Sequence, residues 1–260
     1  MSFSITPNAR VTLKIRHRDD HLLVIDKPGG IVTEPGVGHE HDTLLNGLFA
    51  LAAHQLQNLG DKRDFGLVHR LDKDTSGLLV AALTARAYDG LREQFESREV
   101  RKQYWAVCRG APARETGVIR RPLAEHLERS GRYTSVRRAS VSRSGRPALT
   151  AYRVLQRSVM AALIEARPVT GRLHQVRVHL DSVGASVLGD PLYGPASARE
   201  ASHRLALHAH RLAFTHPITG EAVDVRSAWP RDLRSLLRRM RLERPDVVES
   251  AERSDAEAEE

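Results

Sequence analysis

The stretch HRLDKDTSGLLV, residues 69–80, packs His69, Arg70, Asp72, Lys73 and Asp74 in front of an apolar run and closes its polar part with Thr75-Ser76-Gly77. Two readings of it are open. An Asp72 carboxylate flanked by Arg70 and Lys73 is held ionised by adjacent positive charge and is fit to act as a nucleophile or base. A charged turn leading into a buried strand needs no chemistry, and Asp74, ahead of two hydroxyl residues, suits a turn-capping role. Ser76 lacks the glycine-x-serine-x-glycine elbow of a hydrolase nucleophile. Asp72 and Asp74, two positions apart, give no sign of converging across a cleft as the acid and base of a glycosidase do.

Working outward, strands and helices alternate irregularly. HLLVIDKP (21–28) reads as a short buried strand closed by Pro28-Gly29-Gly30, and DTLLNGLFALAAHQL (42–56) as an amphipathic helix with Asp42 as its N-cap. GLLVAAL is a strand, ARAYDGLREQFESREV (85–100) has helical spacing through Leu91 and Phe95 despite Gly90, and KQYWAVCRG is a strand ended by glycine. Residues 111–147 are arginine-rich and full of turn formers, which predicts an exposed excursion with a β-hairpin. ALTAYRVLQRS and MAALIEARPV predict two successive strands of a meander. RLHQVRVHLDSVG reads as a helix stopped at Gly184, RLALHAHRLAF holds a further strand, and RDLRSLLRRMRL is a terminal amphipathic helix. The pattern argues for an α+β fold rather than a doubly wound parallel sheet, and no repeat of fixed period occurs.

The 260 residues are 41% hydrophobic, enough to bury a substantial core, and carry a formal charge of +8. The distribution of that charge matters more than its sum. The last twelve residues, ESAERSDAEAEE, hold six acids and one arginine, so the remainder carries +13, with far more arginine than lysine. Planar guanidinium groups suit phosphates and stacked bases, so nucleic acid is one reading of this surface and a generally arginine-rich proteome the other. Residues 1–240 are expected to form the folded domain. Residues 241–260, with their acidic end, are expected to be a disordered tail. The single cysteine, Cys108, excludes an internal disulfide framework or a multi-cysteine zinc site and reads as a small packed hydrophobe in a cytoplasmic setting. No run of about 18 apolar residues suggests membrane insertion, and the N-terminus does not resemble an export signal. There is no glycine-rich phosphate loop, so no nucleotide cofactor is expected. GHEHD (38–42), HQVRVH and HAH supply no recognised ligand set, so no metal is expected either.

HRLDKDTSGLLV resembles the signature of the RluA-type RNA pseudouridine synthases. Four other blocks are similar to that family in the family's own order: DDHLLVIDKPGGIVTEPG (19–36), KQYWAVCRG (102–110), RPVTGRLHQVRVHLDSVGASVLGDPLYG (167–194) and RLALHAHRLAFTHPITGE (204–221). The resemblance implies the pseudouridine synthase fold, a mixed, largely antiparallel bent sheet flanked by helices around a central active-site cleft. It also implies an isomerase that cleaves the bond from uracil nitrogen to ribose, turns the base and rejoins it through carbon, without cofactor or metal. On this likeness Asp72 matches the essential aspartate, Tyr104 the tyrosine packed against the target base, and Arg177 the arginine that accompanies the aspartate. His69, Arg70, Arg172 and His174 match residues that contact RNA or brace the catalytic groups. Gly189, Asp190, Tyr193 and Gly194 are expected to shape a loop.

The residue types suit the chemistry. A carboxylate stabilises an electron-poor sugar carbon, a guanidinium keeps that carboxylate charged when partly buried, and an aromatic ring receives an extruded base. The implied partner is structured RNA, ribosomal RNA of the large subunit first and transfer RNA second, acted on by a monomer. A non-catalytic RNA-binding protein on the same fold, or a glycosidase releasing free uracil, are the competing readings. Two departures from the family stand out: only about a dozen residues precede the first matching strand, too few for the separate RNA-binding domain of many relatives, and Leu173 replaces a frequent small hydroxylated residue, which bears on local packing.

Overall fold

The computed structural model describes residues 3–129 and 135–246. In chain order its elements are β1 (Ile15–Arg18), β2 (Leu22–Lys27), α1 (Leu44–Leu59), β3 (Ser76–Ala82), α2 (Ala85–Glu96), β4 (Arg101–Arg109), β5 (Thr116–Ile119), β6 (Leu123–Arg129), β7 (Ser135–Val141), β8 (Thr150–Arg157), β9 (Ala162–Pro168), α3 (Gln175–Asp181), β10 (Ser186–Val187), α4 (Ala196–Arg199), β11 (Leu207–Thr215), β12 (Ala222–Arg226) and α5 (Arg234–Arg239). They form two compact units, one from the described residues of Met1–Lys102 and Ala209–Ser227, the other from those of Gln103–His208 and Ala228–Glu260. The last fourteen residues of the acidic tail lie outside the described residues.

In the first unit β2 pairs antiparallel with β1 on one side and β3 on the other, β11 follows β3, and β12 pairs with β11. All seven residues of β3 are buried. A strand without polar alternation is covered on both faces. Gly77 is required where it stands: its φ is +116°, and a Cβ there would lie 2.2 Å from the carbonyl oxygen of Ala209.

The helix predicted over 42–56 spans Leu44–Leu59, and its N-cap is Thr43, not Asp42. Thr43 Oγ1 accepts the Asn46 N–H and Asn46 Oδ1 accepts the Thr43 N–H at 3.0 Å, a reciprocal box that satisfies two donors left free by the helix start. Asn46 Nδ2 also donates to Thr6 O at 2.8 Å, tying the N-terminal segment to α1. Asp42 instead takes His39 Nδ1 at 2.9 Å.

In the second unit the sheet order is β4-β9-β8-β5, with β10 on the other side of β4. The predicted meander is present: β8 and β9 pair antiparallel with an irregularity between Val154 and Gln156. The arginine-rich excursion holds β5 and the antiparallel hairpin β6–β7. The core gathers Trp105, Val107, Cys108, Leu163, Ile164, Leu180, Leu207, Trp229 and Leu236. Cys108 is fully buried, and burial pushes its thiol pKa up. The predicted helix over 172–184 begins only at Gln175, because His174 has a left-handed φ of 53° that helical backbone cannot continue through. The turn after α3 closes as Gly184 N–H donates to Asp181 O at 3.0 Å. Every pairing of known register is antiparallel. Among the described residues no helix is long and apolar enough to cross a membrane.

Candidate active site

In the first unit the loop ahead of β3 is fastened by its backbone. Thr33 Oγ1 donates to Leu71 O at 2.8 Å, Thr75 N–H donates to Asp72 O at 3.1 Å, and Lys73 O accepts both Lys27 Nζ and Gly30 N–H at 2.9 Å. Three consecutive carbonyls around Asp72 are thus occupied. Lys27 sits at the end of β2, 0% exposed, and its ammonium also donates to Pro28 O and Ile31 O at 3.0 and 2.8 Å. A buried ammonium is tolerated when its donors are all used, and here they hold the DKPGG turn against the loop carrying Asp72.

The other residues of the loop are held differently. His69 Nε2 accepts the Val80 N–H at 3.0 Å, so the ring is the tautomer with its proton on Nδ1. It stacks on Phe95 of α2 with ring centroids 4.7 Å apart. Burial, reinforced by Lys102, lowers its pKa to about 3, so the imidazole is neutral. Arg70 is exposed, with Glu34 at 3.6 Å. The Lys73 ammonium lies 3.1 Å from His39 Nε2.

The second unit holds Tyr104, Arg172, His174 and Arg177. Tyr104 stands on β4 opposite Ala166 of β9, half-buried and packed on the unit's core. Arg177, on the first turn of α3, is 4% exposed and forks onto Asp190: Nε donates to Oδ2 at 2.8 Å and Nη2 to Oδ1 at 2.7 Å. Asp190 Oδ1 accepts two further bonds, from the backbone N–H groups of Leu192 and Tyr193 at 2.9 and 3.1 Å. This planar, bidentate geometry fixes the guanidinium. The Tyr193 ring packs under it, 5.0 Å from centroid to Cζ, and the Tyr193 hydroxyl accepts the Ala139 N–H at 2.9 Å while lying 2.8 Å from His174 Nδ1. Burial raises the Tyr193 pKa, so the phenol stays protonated at neutral pH.

Arg172 Nε donates to Pro147 O at 3.2 Å. Beside it the buried amide of Gln175 accepts from Thr170 Oγ1 and Arg172 N–H and donates to Leu149 O and Thr150 Oγ1. Leu173 packs with the small cluster of Leu123, Ala139, Ala148 and Val178, which is the packing role its departure from the family pattern implied.

Lys27, Thr33 and Gln175 are supports that the sequence did not single out, and Asp190 and Tyr193, expected there only to shape a loop, also hold Arg177 and meet His174. Their signals were a lysine inside an apolar strand, and an aspartate and tyrosine in GDPLYG that local reading assigns to loop shape. Among the described residues no group of three or more His, Cys, Asp or Glu side chains is placed to hold a metal.

Residues 21–182 match the family model of RNA pseudouridylate synthases. The chain is 40% identical over 241 residues to the ribosomal large subunit pseudouridine synthase D of Zymomonas mobilis, covering 88% of this chain and 73% of that protein. It is 41% identical over 239 residues to the protein of the same name from Nitrosomonas europaea, covering 89% and 66%. In structure it resembles human RNA pseudouridylate synthase domain containing 4, with a TM-score of 0.67 at 29% identity over 88% of this chain and 93% of that one.

Proposed function

We propose, since this chain belongs to the RNA pseudouridylate synthase family and converts uridine to pseudouridine in RNA, that its substrate is large-subunit ribosomal RNA and that Asp72, Tyr104 and Arg177 carry the reaction. The ribosomal target rests on the names of the relatives in Zymomonas mobilis and Nitrosomonas europaea. In this reading the protein works as a cytoplasmic monomer.

The observation that carries the residue assignment is the fastening of the loop. A carboxylate that must meet an electron-poor carbon, or the base itself, gains most when its backbone cannot shift, because the reacting geometry is then set before substrate arrives. The carbonyls of Leu71, Asp72 and Lys73 are all held by donors from their surroundings, so the backbone that carries the Asp72 side chain is fixed. Departure of uracil from the ribose leaves positive character on the sugar carbon, and Asp72 traps or stabilises it. The base then turns against the face of Tyr104, an aromatic surface suited to an extruded pyrimidine, and its ring carbon bonds to the sugar carbon as the Asp72 carboxylate departs. That ring carbon gives up its proton and the freed ring nitrogen takes one up, by exchange with solvent. Arg177 supplies positive charge that favours an ionised carboxylate, its orientation fixed by Asp190.

The test is pseudouridine mapping, by a chemical probe specific for the modified base, of RNA from cells lacking the protein after treatment with wild type or Asp72→Asn. Wild type is expected to create a new site in large-subunit ribosomal RNA and Asp72→Asn none. A new site in transfer RNA instead would overturn the substrate. Release of free uracil would replace the isomerase with a glycosidase, and RNA binding by both proteins with no product would replace it with a binding protein.

A further inference from the structure

Lys102 stands at the start of β4 beside the rings that support the Asp72 loop. Its Nζ lies 5.5 Å over the centroid of the Phe95 ring, and Phe95 in turn stacks on His69, three residues ahead of Asp72. Among the described residues neither a carboxylate nor a hydrogen-bond acceptor reaches this ammonium. Its neighbours do not compensate the charge: the phenyl face offers a weak quadrupole, and His69, occupied by the Val80 N–H, is neutral.

Among the described residues this partly buried cation next to the Asp72 loop therefore meets no anion. Elsewhere, arginines placed near carboxylates are matched at close range, as Arg16 is by Asp26, Arg63 by Asp89 and Arg204 by Asp232. Burial without a partner lowers the Lys102 pKa to about 8, the direction of a site that lacks its counter-ion.

We propose that Lys102 is a phosphate-binding residue for the target strand, taking the phosphodiester on one side of the uridine presented to Asp72. The inference rests on the synthase reading above and adds to it a named backbone contact. A compact ammonium suits one phosphate oxygen as a point charge, whereas a guanidinium would spread across a pair. The Phe95 ring lies under the ammonium and is itself stacked on His69, which offers RNA a donor on an aromatic support. Phe95 links Lys102 to His69 at the start of the loop, so the phosphates adjoining the target nucleotide are the ones to test.

The experiment uses Asp72→Asn as the parent, so that binding is read without turnover, and the RNA segment in which wild type forms pseudouridine. Binding constants are measured between about 50 and 400 mM salt. Adding Lys102→Met is expected to weaken binding about tenfold at about 0.1 M salt and to lower the slope of log K against log salt by nearly one unit, the loss of one phosphate contact. In the second arm the phosphates 5′ and 3′ of the target uridine are replaced, one at a time, by uncharged methylphosphonates. One of the two replacements weakens binding to the Lys102 protein and costs the Lys102→Met protein nothing further. The replacement read in the Lys102 protein stands even if the Met variant folds poorly, and indifference to both replacements would overturn the inference. So would an unchanged salt slope in a folded Met variant, or additive losses at both phosphates. A wild type that modifies no RNA would overturn the synthase reading and this one together, whereas turnover with an unchanged slope overturns this one alone.

Discussion

Lys27 buries an ammonium group in order to hold three carbonyls, one of them from Lys73, 46 positions away. Replacing it by methionine keeps much of the volume and leaves those carbonyls without their charged donor. The expected loss is about 3 kcal/mol of stability, read from the denaturation midpoint in urea, together with most of the turnover because the Asp72 loop is released. Lys27→Met with full turnover would show that the loop holds itself. His69 makes a prediction of a different sign from the usual histidine. Its folded pKa of about 3 lies below the unfolded value near 6.5, so between these the unfolded chain binds the extra proton. Its contribution to stability is therefore complete above about pH 6.5 and is lost as pH falls toward 3, with a slope of at most about 1.4 kcal/mol per unit. His69→Gln, which keeps an acceptor for the Val80 N–H, is expected to flatten that part of the stability profile relative to wild type. Equal slopes in the two proteins would assign the acid loss to other groups. Asp72 was legible as a candidate only through the family resemblance, since its neighbours alone left a charged turn open. Asp190 was not, because only folding sets it against Arg177.

At the scale of elements, α1 and α3 show how a boundary is decided. Asp42 and Thr43 are both good N-cap types, and the sequence favours neither strongly. The choice falls to Thr43 because Asn46 completes the box and is itself tied to Thr6 O, a contact across 40 positions. Thr43→Ala is expected to cost about 1 kcal/mol, whereas Asp42→Ala should lie within about 0.5 kcal/mol of wild type, both read from chemical denaturation. The reverse ranking would return the cap to Asp42. The late start of α3 follows from the left-handed His174, whose ring meets the Tyr193 hydroxyl. Periodicity carries the apolar spacing through RLHQVRVHL but carries no information on a single residue held off the helix. The strands fared better. β2, β3, β4, β8, β9 and β11 announce themselves as runs of Val, Ile, Leu, Ala and aromatic residues bounded by glycine, proline or charge. β12, with the alternating exposure of an outer strand, has few apolar residues and gives little signal.

For the whole molecule the relevant quantity is charge. The excess of arginine over acids outside the last twelve residues predicts that RNA affinity falls steeply with salt, as displaced counterions are regained. Binding constants measured at about 50 and 200 mM salt are expected to differ by a factor of a hundred or more, and constants that agree would remove the electrostatic reading of the surface. The acidic end, net −5, is expected to be dispensable for turnover and to weaken non-specific RNA binding when present. A protein ending at Pro245 should keep its turnover and bind unrelated RNA more tightly, and loss of turnover would refute this. By itself the sequence determined the α+β class, the order of nearly all the strands and helices, and the family. These depend on spacing along the chain and on residue types within five ordered blocks, which a linear text preserves. Only the tertiary structure decided that Lys27 fastens Lys73, that Asp190 forks onto Arg177, that Tyr193 reaches Ala139 across 54 positions, and that Lys102 stands over the Phe95 ring. A hydrogen bond or ring contact between residues far apart in sequence forms when packing closes the chain between them, and no local pattern encodes which partners that closure will bring together.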